Sequence, residues 1–148
     1  MNRFLRHPAT NAIGLSTFSV FYGVLFWAFS DRIQSQTGTS EHAFWKAWDN
    51  FLSCGGHRYI ALALLALTVL VVALLLTKHK PYDEYHTAIL IQCLAVSVVL
   101  ALAAIAGFFV LILIDPTQII SKFTLFVTVN WSTVVLADLT YLLLCGRR

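Results

Sequence analysis

Charge is scarce in this sequence. Of 148 residues, ten are Lys or Arg and seven are Asp or Glu, so charged residues make up 11%, where a soluble domain carries about 25%. That shortage excludes a surface bathed in water on all sides, and a mean hydropathy of +0.78 agrees. Cysteine is sparse as well. Cys54, Cys93 and Cys145 form no CxxC, which excludes a thiol–disulfide enzyme needing a cysteine pair at one face. There is no Gly-rich phosphate loop, no Ser/His/Asp set and no HExxH, so no catalytic residue, cofactor or metal site is expected. The net charge is +3, but no basic stripe is long enough for nucleic acid.

Apolar sequence fills the space that charge leaves. Residues 13–29, 59–77, 88–114 and 123–145 form four runs, the first three without a charged residue. A spanning helix needs about 20 residues at roughly 1.5 Å rise to cross about 30 Å of hydrocarbon. The last three runs meet that length, and uncharged polar neighbours extend the first. No convincing small-x-small cleavage site follows Phe29, so the first run reads as a span and not as a cleaved signal. The third run is apolar all round, which suits lipid and not the interior of a soluble domain. The expected fold class is therefore all-α integral membrane. Residues 1–148 form one domain, a four-helix antiparallel transmembrane bundle.

Orientation follows from the basic residues. With the N-terminus inside, Arg3, Arg6, Lys78, Lys80, Arg147 and Arg148 are cytoplasmic, against Arg32, Lys46, Arg58 and Lys122 outside. That bias places both termini in the cytoplasm. Pro8 disfavours helix in the residue before it, so the first helix is expected to start after Thr10 or Asn11, either of which can cap it. Residues 30–40 read as a polar turn, and Pro81 separates the second and third spans. Asp115 and Pro116 open a tight outer turn.

Residues 41–53 read as a short outer amphipathic helix at the membrane interface. Phe44, Trp48, Phe51 and Leu52 recur at helical spacing with Trp45 beside them, while Lys46, Asp49, Asn50 and Ser53 fall mainly on the other side. Ser40 can cap its start and Gly55 and Gly56 can end it. Aromatic residues suit that depth, and the same face can meet a partner. Small residues mark further contact faces: Ala12, Ser16, Ser19 and Gly23 in the first span; Ala63, Ala66 and Ala73 in the second; Ser97, Ala101, Ala103, Ala104 and Gly107 in the third. They let helix backbones approach, within one chain or between copies.

Asp138 is the most informative residue, since an ionisable side chain inside a span is a functional candidate. Asn130, Thr133 and Tyr141 share one face of the last span with Asp138 at its edge. Gln92 stands at similar depth as a partner, with Thr77 and the snorkelling Lys78, Lys80 or Arg147 as alternatives. His79, Asp83, Glu84 and His86 match no compact metal motif, nor do His42, Cys54 and His57. Asn130, Trp131 and Ser132 fit a glycosylation sequon, but inside a span no glycosyltransferase reaches it.

Lys80, Pro81, Tyr82, Asp83 and Glu84 before a hairpin resemble a segment of bacterial membrane proteins with an Asp-Glu-Arg motif, with Tyr85 where that motif has Arg. The plan is similar in architecture, not in motif, to colicin-type immunity proteins and membrane subunits of phage-defence systems. Small four-helix multidrug exporters resemble it in size and topology alone, because they carry a carboxylate in the first span and this chain does not. The expected function is non-enzymatic: a homo-oligomeric protein of the bacterial inner membrane that senses, or anchors a cytoplasmic or extracellular protein partner. An ion or proton channel or transporter with a polar path along the last span is the alternative. A membrane enzyme is the third, and it would need His residues from opposite sides to converge.

Overall fold

The computed structural model describes residues 8–35, 42–77 and 84–146. These form six helices: α1 Pro8–Ala28, α2 Ser30–Ser35, α3 Ala43–Ser53, α4 Gly56–Leu76, α5 Glu84–Ile114 and α6 Ile119–Gly146. The helices α1, α4, α5 and α6 are long and apolar enough to cross a membrane. The chain is thus all-helical and consistent with a multi-pass membrane protein.

Pro8, the first described residue, is already helical, so the helix does not wait for Thr10 or Asn11. Proline is tolerated in a first turn because its missing N–H has no intrahelical partner to lose. The polar segment expected as a turn after residue 30 begins instead as α2. Backbone bonds carry across Phe29: its N–H donates to the Leu25 carbonyl at 3.1 Å, and Ile33 N–H donates to the Phe29 carbonyl at 2.9 Å. The helical path thereby continues far enough to bury Ile33.

The corner between α3 and α4 uses both glycines. Gly55 takes a left-handed φ of 83°, a conformation glycine adopts without a Cβ penalty. Its carbonyl accepts Arg58 N–H at 3.0 Å and so starts α4. A Cβ on Gly56 would overlap the Phe51 ring. At the other end of α3 the N-cap is His42, without a side-chain cap; Ser40, the expected cap, lies outside the described residues.

Cross-helix hydrogen bonds establish the register. Asn11 meets Asp138 and Ser19 meets Trp131, so α1 and α6 are antiparallel. Ser19 meets Thr68 and Ser30 meets His57, so α1 and α4 are antiparallel too. Helices α4 and α6 therefore run parallel and share α1 between them. Phe108 of α5 stacks on Phe126 of α6 with centroids 4.9 Å apart, across the short turn after Ile114. The expected four-helix bundle is realised unevenly. Helices α1, α4 and α6 form a three-helix core, whereas α5 leans on α6 and touches the others only marginally.

Helix α6 is the central element. Thr124, Val127, Trp131, Val135, Asp138 and Leu142 are buried, and their spacing of three and four places them on one stripe. Helix α5 has no comparable stripe; Leu90 and Ser97 are its buried residues. An apolar helix with three free sides is what hydrocarbon surroundings accept.

Candidate functional site

Polar groups are buried in the core at three heights. At the end where α1 starts and α6 finishes, Asn11 Nδ2 donates to Asp138 Oδ1 at 2.7 Å. Asp138 is 2% exposed. Its partner is therefore on α1, not Gln92 or Thr77 as the sequence led us to expect; Lys78, Lys80 and Arg147 lie outside the described residues. Asn11, which reads in sequence as a helix cap, sits a turn inside α1 because the helix is already formed at Pro8.

At mid-height a three-residue chain joins all three core helices. Trp131 Nε1 donates to Ser19 Oγ at 3.0 Å, and Ser19 Oγ lies 3.0 Å from Thr68 Oγ1. Thr68 Oγ1 donates to the Leu64 carbonyl at 2.7 Å. Trp is a donor only and Thr68 has committed its hydrogen, so Ser19 must donate to Thr68. Every polar hydrogen in the chain then has an acceptor, as a site remote from water requires. Sequence reasoning passed over Trp131. The signal was present: Trp favours membrane interfaces, so a Trp in mid-span needs an internal acceptor for its N–H.

The α3 end is the most polar. Lys122, 2% exposed, folds back over the turn between α5 and α6. Its ammonium donates to the Asp115 carbonyl, to the Thr117 carbonyl at 2.8 Å and to Asp115 Oδ2 at 3.1 Å. The Trp45 ring of α3 lies 5.8 Å from that ammonium, within cation–π range. Trp48 Nε1 donates to the Ser121 carbonyl at 3.1 Å. These contacts rotate α3 relative to the expected face: Trp45, Trp48, Asp49 and Leu52 turn inward, while Phe44 and Phe51 stay exposed. Asp49, expected among the polar residues on the outside, is buried, and neither carboxylate oxygen has a hydrogen-bond partner. Across the same end, Ser30 Oγ lies 2.9 Å from Nε2 of the fully buried His57.

Asp115 is itself held by the turn. Its Oδ1 accepts the Thr117 amide at 2.9 Å and the Thr117 hydroxyl at 2.6 Å. Thr117, first through its hydroxyl and then its amide, together with the Lys122 ammonium, draws the Asp115 carboxyl from 3.8 down to about 2. A group with a lowered folded value stabilises the fold above its unfolded value and loses that contribution as pH falls through the folded one. Stability against thermal unfolding in detergent should therefore fall progressively from about pH 4 to pH 2 through this group, and Asp115→Asn should flatten that part of the profile. An unchanged profile in the variant would remove Asp115 as its source.

The residues expected to line a polar path do not converge. Asn130 is buried, with Nδ2 donating to the Phe126 carbonyl at 3.3 Å. Tyr141 is fully buried in the core. Thr133 instead faces α5 and donates to the Val129 carbonyl at 2.8 Å. It shares an open groove of about 320 Å³ with Gln92 and Thr140. The polar set is split between two sides of α6, with Asp138 on the α1 side. Among the described residues no three His, Cys, Asp or Glu side chains gather as metal ligands. Cys54 is exposed where His57 is buried, and His79 and Asp83 lie outside the described residues. No protein-family model, curated protein or solved structure matches the chain.

Proposed function

We propose that this chain is a small polytopic protein of the bacterial inner membrane, with both termini cytoplasmic. In this reading it acts without catalysis, as a homo-oligomeric sensor or anchor for a partner protein, in the manner of an immunity or phage-defence component. One observation carries the reading: Asp138, the carboxylate of the last span, is shielded from solvent and hydrogen-bonded to Asn11. A conduction path would leave such a carboxylate facing water, whereas a scaffold uses it to tie helices together. Ala63, Ala66 and Ala73 on α4 point away from the core, which supports close approach of a second copy. Helix α3 with its exposed Phe44 and Phe51 lies at the interface as the surface offered to a partner.

The second reading, an ion or proton path, has one feature in its favour: the groove where Gln92, Thr133 and Thr140 face outward between α5 and α6. Ion and proton flux in liposomes separates the two. The scaffold reading expects no flux from the wild type or from Asp138→Asn. Flux in the wild type that disappears in a folded Asp138→Asn protein would overturn it and establish a polar pathway.

A further inference from the structure

The α3 end of the α1–α4 pair holds a cleft of about 160 Å³ with two unlike parts. Phe26, Trp27, Ala61, Leu62 and Leu65 make its walls apolar, and Ser30, His57 and Arg58 stand at its polar end. The polar end is built, not incidental. Ser30 Oγ accepts Arg58 Nε at 3.3 Å and Nη2 at 3.2 Å, which pins the guanidinium beside the cleft. The same hydroxyl oxygen lies 2.9 Å from Nε2 of the buried His57.

Arg58 has donors to spare. A guanidinium carries five N–H donors and a permanent charge, and Ser30 takes two. Among the described residues no carboxylate pairs with Arg58; the ion pair there joins Lys122 to Asp115. An exposed cation with no carboxylate partner among the described residues therefore stands at the head of an apolar cleft. Trp27 and Tyr59, 83% and 72% exposed, lie at the same end, as aromatic side chains do at headgroup depth.

We propose that this cleft binds an anionic phospholipid, its phosphate on Arg58 and an acyl chain between α1 and α4. Charge complementarity selects the headgroup, because guanidinium forks match phosphate oxygens. The apolar walls select a lipid over free phosphate, which would leave them unfilled. The proposal rests on α1 and α4 being membrane spans.

Retention of lipid by the purified full-length chain tests this. Protein in neutral detergent is given phosphatidylglycerol, phosphatidylcholine or water-soluble glycerol phosphate, washed, and weighed by native mass spectrometry. Wild type should retain phosphatidylglycerol about tenfold over phosphatidylcholine, and Arg58→Gln should bring the two together. Ala61→Leu fills the apolar part with Arg58 intact and should lower phosphatidylglycerol retention by about tenfold. Lys46→Gln removes the same charge from an exposed position on α3 and should behave as wild type. Equal retention of the two lipids by wild type, or unchanged selectivity in Arg58→Gln, overturns the proposal. So does glycerol phosphate displacing phosphatidylglycerol at equal concentration, which would mark an anion site without a lipid. If Arg58→Gln does not fold, Ala61→Leu decides, and unchanged retention there overturns the proposal as well. A chain that stays in solution without detergent signals the separate failure of the spanning reading.

Discussion

Replacing Trp131 by alanine should destabilise the protein by about 3–5 kcal/mol, the range for emptying a buried aromatic position. Trp131 has no exposed surface and stands where α1, α4 and α6 meet. Tyr22 stacks near it with centroids 6.2 Å apart, and Phe26 lies at the same separation. Truncation removes those contacts and strands the Ser19 acceptor together. Trp131→Phe separates the two effects. It keeps most of the ring volume and loses the 3.0 Å bond to Ser19, an interhelical bond worth about 1 kcal/mol in a membrane. Unfolding in mixed micelles, followed by helicity, measures both variants. Equal losses for Phe and Ala would mean that the hydrogen bond, not packing, holds this junction.

Asn11→Leu should destabilise by about 2 kcal/mol, because it takes the donor from a buried carboxyl and offers nothing in return. The pair Asn11→Leu with Asp138→Leu should recover most of that loss, since an apolar pair of similar size leaves no group unsatisfied. The contrast matters for function. If Asp138 serves only to tie α1 to α6, the double variant assembles and behaves as wild type. A double variant that folds with wild-type stability yet fails in every assay of the native protein would instead give Asp138 a role beyond the 2.7 Å bond. The same unfolding measurement decides the energetic part, and single variants no weaker than the double would remove the coupling.

The order of the long helices was legible in the sequence because it depends on run length and on breaks, and both are local. Pro116, the glycine pair at 55 and 56, and the absence of charge over 88–114 mark where helices stop and start. The helix α3 was legible for the same reason. Which face of each helix turns inward was not. In a water-soluble helix, polarity distinguishes inside from outside. Here outward-facing and core-facing residues are both apolar, and the sequence around α5 or α6 carries little asymmetry. Packing and hydrogen-bond satisfaction decide the matter instead.

The particular misses follow from that. Asp138 drew attention by charge, but its partner Asn11 comes from 127 residues away and no local pattern points to it. Ser19 read as a small contact residue and Trp131 as part of an unusable sequon, yet the two join as donor and acceptor at mid-height. Asp49 read as solvated because its neighbours Lys46, Asn50 and Ser53 are polar, but the docking of Trp45 and Trp48 on the α5–α6 turn turns it inward. Composition and spacing by themselves determined an all-helical chain with four helices fit to cross a membrane. Tertiary structure alone decided which three of them form the core, and that the carboxylate of the last one is tied to the first, because only folding brings a distant donor within reach of a group that cannot be left unsatisfied in a dry interior.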